Sequence, residues 1–168
     1  MTKKLYIVRH AKSDWAHSDV LKDIDRPLNT RGVRNAYEMS ARFLAKGIKA
    51  DVILASNGIR ALHTAIIFAR QMNLDSSIIK VIPELYHSSA SEILNVLKNV
   101  SSEHEKVMLF AHNPGISDFA SYVNKDSYLH VPTCATLDIE VEAINWSNIS
   151  FESLKLIKFD FPKNKKAS

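Results

Sequence analysis

Four times along this chain a short apolar run gives way to a stretch whose apolar residues recur every three or four positions. Leu5-Tyr-Ile-Val8 reads as a buried strand. Val33, Ala36, Tyr37, Ser40, Phe43 and Leu44 then fall on one helical face, with Thr30 or Asn29 as cap and Gly47 as terminator. Asp51 to Ala55 is the second strand, followed by the stripe Ile59, Leu62, Ile66, Ala69 with Ser56 or Asn57 as cap. Ile79 to Ile82, stopped by Pro83, precedes Ile93, Leu94, Leu97 and Val100. Lys106 to Ala111 precedes a helix opened by Asn113-Pro114, a cap followed by proline in the first turn. Thr136 to Val141 and Ser153 to Phe159 add one or two strands. Strands alternating with helices predict an α/β fold of three layers, α/β/α, around a mostly parallel sheet. In such sheets ligands bind beyond the carboxyl ends of the strands.

The 168 residues suit one domain. We expect it to cover 1–162, with a basic, disordered tail over 163–168. The longest apolar runs, such as Val107 to Ala111, fall far short of the ~20 residues of a membrane span. The opening residues hold no apolar stretch of signal-peptide length, so a cytoplasmic location is expected. The single cysteine, Cys134, excludes a disulfide scaffold and reads as a small buried hydrophobe. The net charge of +4 is mild, and part of it lies in Lys163, Lys165 and Lys166. Without a basic stripe or a reading motif, no nucleic-acid partner is expected. The seven histidines include no helical His-x-x-x-His pair and no His/Cys cluster, so neither a metal nor another cofactor is expected.

The residues directly after each strand carry the chemistry. The first strand ends in Arg9-His10. The second leads through Ser56 to Arg60, in the first turn of a helix. The third leads to Pro83-Glu84-Leu-Tyr86-His87, and the fourth ends in His112-Asn113-Pro114. Arg9, Arg60, His10, His112 and Glu84 on one rim point to phosphoryl transfer. A neutral imidazole is a competent nucleophile toward phosphorus. Arginine forks match phosphoryl oxygens, and helix N-termini near Arg60 and Asn113 would add amide donors. Glu84 could protonate a leaving group if its pKa were raised, or could simply cap the turn after Pro83.

These residues resemble a known family. Arg9-His10-Ala11 resembles the Arg-His-Gly motif of the histidine phosphatase (phosphoglycerate mutase-like) superfamily. Arg26-Pro-Leu-Asn-Thr-Arg-Gly32, Ser56 through Arg60 to Ala65, and Phe110-Ala-His112-Asn-Pro-Gly115 resemble its further motifs, in the same order, from about Lys4 to Phe161. The resemblance implies that His10 is transiently phosphorylated. It also implies that Arg9, Arg60 and His112 form a phosphate pocket, and that Glu84 lies where many members carry their acid. Ala11 departs from the family glycine.

The short chain with Arg-Pro-Leu and Pro-Glu-Leu looks most like the SixA-type phosphohistidine phosphatases. It has no insertion long enough to build a lid. The expected activity is therefore metal-independent hydrolysis of phosphohistidine in proteins. A small phosphorylated metabolite is the alternative substrate, for a phosphatase or, less readily, a mutase. A non-catalytic phosphate-binding module is a third reading. Ser13, Asp14 and Trp15 are expected at the pocket rim, with Ser13 and Asn113 among the substrate contacts. Arg26 either contacts the substrate or pairs with the Asp23–Asp25 turn. His87 is a lesser candidate. The sequence does not set the oligomeric state.

Overall fold

The computed structural model describes residues 2–125 and 127–164. Its core is one six-stranded sheet in the order β3-β2-β4-β1-β5-β6. Strands β1 (Lys3–Arg9), β2 (Val52–Ala55), β3 (Ile79–Val81) and β4 (Lys106–Ala111) run parallel. Strand β5 (Thr136–Val141) lies antiparallel to β1, and β6 (Leu154–Asp160) antiparallel to β5. The central strands β1, β2 and β4 are continuous apolar runs because both of their faces are covered.

Helices α1 (Thr30–Ala45), α2 (Ile59–Gln71), α3 (Ala90–Lys98) and α4 (Gly115–Asn124) supply the cover. Leu5, Ile7, Val107 and Leu109 turn to one face, against Ile93 and Leu97 of α3 and Ile116 and Phe119 of α4. Tyr6, Val8, Met108 and Phe110 turn to the other, against Met39 and Phe43 of α1 and Phe68 of α2. There the rings of Phe43, Phe68 and Phe110 meet edge to face, with centroids 5.6 and 5.2 Å apart. Each such fully buried side chain stabilises the fold by roughly 1.5–3 kcal/mol. In β5, Leu137, Ile139 and Val141 are buried and alternate with Asp138 and Glu140, the pattern of an antiparallel strand with one polar face. Arg42 of α1 reaches across to Asp160 at the end of β6 and ties that helix to the far edge of the sheet.

Local starts and stops follow the sequence with some corrections. Asn29, rather than Thr30, caps α1 by accepting from the Gly32 amide at 2.7 Å, and Gly47 follows that helix at φ +66°. Ile82 falls just outside β3. Gly58, rather than Ser56 or Asn57, occupies the cap of α2 and offers no side chain. Helix α4 begins at Gly115, with Pro114 at its cap. Asn113 still serves that helix, because its side-chain oxygen accepts from the Ser117 amide at 3.1 Å. Lys165 and Lys166 of the expected basic tail lie outside the described residues. Among the described residues no helix is long and apolar enough to cross a membrane.

The register pairs Arg9 with Ala111 and Ala55 with Phe110. The parallel strands β1, β2 and β4 therefore end together, delivering His10, Ser56 and His112 to one rim.

Candidate active site

His10 is the first residue past β1, and its backbone is fixed from three sides. Its amide donates to the Ala111 carbonyl at 3.2 Å, and the Cys134 amide donates to its carbonyl at 3.1 Å. The next amide, Ala11, donates to the Thr64 hydroxyl at 3.0 Å, which itself donates to the Arg60 carbonyl at 2.7 Å. The imidazole Nδ1 lies 2.7 Å from the Ala11 carbonyl oxygen. A carbonyl can only accept, so Nδ1 carries the hydrogen and Nε2 holds the lone pair. Arg60 Nε donates toward that lone pair at 3.4 Å. Ala11 is buried, and its φ lies outside the positive region occupied by Asn73, His87, Lys125 and Cys134. The backbone there does not require the family glycine.

His112 lies beside His10, with ring centroids 5.2 Å apart. Its Nε2 is 2.8 Å from the Ser56 hydroxyl, which accepts from the Gly58 amide at 3.1 Å. With the hydroxyl hydrogen assigned to His112 Nε2, the neutral ring carries its N–H on Nδ1. That Nδ1 is buried without a partner, as is Nε of Arg9. Both residues line the same cavity. Unpaired buried donors are rare and costly, and an anion in the cavity would satisfy them.

The cavity holds about 260 Å³ and is lined by Arg9, His10, Lys12, Ser13, Trp15, Arg26, Arg60, His112, Asn113 and Thr133. Arg9 is anchored through Nη1 on the Val131 carbonyl at 2.9 Å, and Asn113 through its amide on the same carbonyl at 3.0 Å. Arg26 lies against the Trp15 ring, 3.5 Å from its centroid, and donates to the Ser13 hydroxyl. Burial, then the neighbouring guanidinium charges, pushes the His10 pKa down to about 3. Burial, then His10 and Arg60, pushes that of His112 to about 2. Both rings are neutral near pH 7. The positive charge belongs to the arginines and Lys12, and His10 Nε2 carries no proton, its lone pair meeting only the long contact from Arg60 Nε.

The structure brings together Arg9, His10, Ser13, Arg26, Arg60, His112 and Asn113. It does not bring Glu84 to them. Glu84 sits in the single turn Pro83–Leu85, which buries Leu85 and leaves Glu84 exposed. It lines a separate groove of about 880 Å³ between β2, β3 and α3. Trp15 lines the cavity as expected, whereas Asp14 accepts from the Ala16 amide at 2.7 Å and holds a turn. Of the two roles left open for Arg26, the structure shows the pairing with the Asp23–Asp25 turn, since its Nε also donates to Asp23 Oδ1 at 3.1 Å, and it places the side chain in the cavity wall.

Sequence reasoning missed Asp23 and Tyr86 as parts of the site. Asp23 accepts from Arg60 at 3.0 Å and from the Tyr86 hydroxyl. Burial alone would raise its pKa, but the hydrogen bonds from Tyr86 and Arg60, the Arg60 charge and the Arg26 hydrogen bond hold it well below the usual carboxylate range. The only local signal was the spacing of Asp23 and Arg26. Ser56 was visible as a cap and is instead the partner of His112. Among the described residues no group of three or more His, Cys, Asp or Glu side chains is placed to hold a metal ion.

Residues 5–91 match the family model of the histidine phosphatase superfamily, branch 1. An uncharacterised chloroplastic protein of Arabidopsis thaliana, At3g52155, is 25% identical over 156 residues, 87% of this chain and 70% of that protein. Among solved structures, the protein histidine phosphatase SixA complexed with tungstate superposes with a TM-score of 0.80 at 21% identity, covering 96% of this chain and 98% of that one. A protein of Agrobacterium tumefaciens classed as a phosphohistidine phosphatase SixA gives 0.79 at 24% identity, covering 95% and 98%. A mycobacterial glucosyl-3-phosphoglycerate phosphatase gives 0.64 at 16%, covering 96% and 98%.

Proposed function

The chain belongs to the histidine phosphatase superfamily, and from that premise we propose that it is a phosphatase that hydrolyses phosphohistidine in proteins through a phosphoryl intermediate on His10. The observation that carries the substrate reading is the composition of the cavity wall. Guanidinium, ammonium and neutral imidazole groups line it, none of its lining residues carries a carboxyl group, and the carboxylate on its arginines, Asp23, is held ionised by Tyr86, Arg60 and Arg26 and has no proton to give. An alkoxide leaving group needs a positioned acid. An imidazole protonated on its far nitrogen departs neutral without one. The volume of about 260 Å³ also lies below the ~300–1,000 Å³ usual for sites that enclose a small molecule.

In the first step the lone pair of His10 Nε2 forms a bond to phosphorus. The bond from phosphorus to the substrate nitrogen breaks, and its electron pair stays with the departing imidazole. His10 keeps its Nδ1 hydrogen on the Ala11 carbonyl, so the phosphorylated ring is a cation. In the second step water attacks phosphorus, one of its protons passes to a phosphoryl oxygen, and the P–N electron pair returns to Nε2, which releases dihydrogen phosphate and neutral His10. Arg9, Arg26 and Arg60 hold the phosphoryl oxygens, and His112 Nδ1–H adds a further donor.

A rapid-quench intact-mass experiment tests this reading. The protein is mixed with a phosphohistidine-bearing protein and quenched at alkaline pH, beside His10→Ala. The expected result is one added phosphoryl group, stable to base, labile to acid and absent from the variant. Fast turnover of a metabolite ester with no turnover of phosphohistidine would assign the substrate to the small-molecule class. Phosphate binding with no turnover of any donor would reduce the chain to a binding module.

A further inference from the structure

Asp23 is an odd neighbour for an anion site. It projects from the single turn Asp23–Asp25, is only half-buried, and belongs to no apolar cluster. Yet it engages two of the arginines that line the phosphoryl cavity. Arg60 Nη1 donates to its carbonyl at 2.8 Å and Arg60 Nη2 to its Oδ2 at 3.0 Å. Arg26 Nε and Nη2 both lie 3.1 Å from its Oδ1. The Tyr86 hydroxyl donates to Oδ2, and His87 Nε2 stands 3.4 Å from the same oxygen.

Two consequences follow from this geometry. With both outer nitrogens of Arg60 tied to Asp23, the guanidinium is held in one orientation, its Nε–H aimed at His10 Nε2 and one N–H of each outer nitrogen left over. The same carboxylate also uses the fork that a phosphoryl group would use, since carboxylate and phosphate oxygens make the same bidentate contacts with arginine. A carboxylate so placed weakens the binding of a resting anion. For a hydrolase whose product is a free anion, that weakening favours release.

We propose that Asp23 is a positioning residue. It aims Arg60 Nε at His10 Nε2 and competes with phosphoryl oxygens for the Arg60 and Arg26 forks, which keeps inorganic phosphate from being retained. The proposal rests on the phosphatase reading but not on the identity of the substrate.

Asp23→Asn keeps the shape of the side chain and removes its charge. The first measurement is calorimetric titration of wild type and variant with inorganic phosphate. The expected result is tighter binding in the variant, by about threefold to tenfold, because a neutral amide competes less well for a guanidinium. The second is turnover of the donor used for wild type, where kcat is expected to fall at least about tenfold as Arg60 loses its fixed direction. Tighter product binding with slower turnover is a signature that mere structural damage would not give. Weaker or unchanged phosphate binding in a folded variant overturns the proposal, and so does an unchanged kcat.

If Asp23→Asn fails to fold, Tyr86→Phe replaces it. Removing the hydroxyl leaves Oδ2 of Asp23 to Arg60 and His87, so the carboxylate competes harder for the arginine forks and phosphate binding is expected to weaken by about twofold or more. Tighter or unchanged phosphate binding in that variant overturns the proposal equally. Failure of wild type to act on phosphohistidine would count against the substrate reading alone, because the phosphate comparison needs no substrate.

Discussion

His10 Nδ1 donates to the carbonyl oxygen of Ala11, its own neighbour in the chain, at 2.7 Å. This contact holds the tautomer in which Nε2 faces the arginines without a proton, and burial keeps the ring neutral. His10→Gln retains much of the shape but not the nucleophile. Its kcat is expected to fall at least about a thousandfold, as for removal of other covalent nucleophiles. Residual turnover within tenfold of wild type in a steady-state phosphate-release assay would exclude His10 from that role.

His112 depends on Ser56 for its tautomer. Ser56→Ala removes the hydroxyl that faces Nε2 and leaves the Gly58 amide without its acceptor. The expected result is a fall of about tenfold in kcat with little change in KM, while His112→Ala costs about a hundredfold or more, the scale of losing one oxyanion donor. A Ser56→Ala enzyme with wild-type kcat would show that the hydroxyl does not orient the ring.

Much of this is legible in the sequence, for a physical reason. Buried parallel strands must be continuous apolar runs, so β1, β2 and β4 stand out, and the residues after them must share a rim. That reasoning alone places Arg9, His10, Arg60 and His112 together. It fails where a contact joins segments that no periodicity links. Asp23 meets Tyr86 across 63 positions and Arg60 across 37. Glu84 shows the opposite limit. It follows the third strand as the pattern requires, but the tight turn Pro83–Leu85 spends its inward direction on Leu85. Ser56 was misread because a serine before a helix usually caps it, whereas here the cap position falls two residues later, on Gly58.

The lowered pKa values of the two imidazoles make the fold acid-sensitive. An unfolded histidine takes up its proton near pH 6.5, while His10 in the fold does so only near 3 and His112 only near 2. Between those limits the unfolded chain binds more protons, so stability is present above pH 6.5 and is lost as pH falls. Each imidazole contributes a slope of at most about 1.4 kcal/mol per pH unit. Melting temperatures from pH 7 to pH 4 are expected to fall less steeply in His112→Gln than in wild type. Parallel curves would show that His112 does not remain neutral through that range.

Arg42 and Asp160 form a buried pair that joins α1 to the edge strand β6. Arg42 Nη1 lies 3.1 Å from both carboxylate oxygens, Nη2 reaches Glu38 at 2.7 Å, and both nitrogens are further bound by the carbonyls of Phe161 and Pro162. Removing one partner strands the other charge out of water, which costs about 3–5 kcal/mol. Arg42→Ala is expected to lose that much in urea unfolding. Its kcat, measured well below its melting point, should stay unchanged because Arg42 is remote from the cavity. A loss under about 1 kcal/mol would mean that water replaces the pair without penalty.

Gly58 joins the backbone to the chemistry most directly. A Cβ built on it would lie 2.9 Å from Cε1 and 3.1 Å from Nε2 of His112, and 3.3 Å from the Tyr86 ring. The first of these distances is closer than carbon atoms tolerate, so the ring must move. His112 cannot retreat without breaking its bond to Ser56 or pressing on His10, whose centroid is 5.2 Å away. Gly58 has φ −61°, which alanine adopts freely, so the penalty falls on the site and not on the backbone. Gly58→Ala is therefore expected to lower kcat at least about tenfold, as a misplaced catalytic donor does, while its urea midpoint stays near that of wild type. A variant of wild-type activity would show that the His112 ring has more freedom than its packing implies. A variant that unfolds instead would place the cost in the fold.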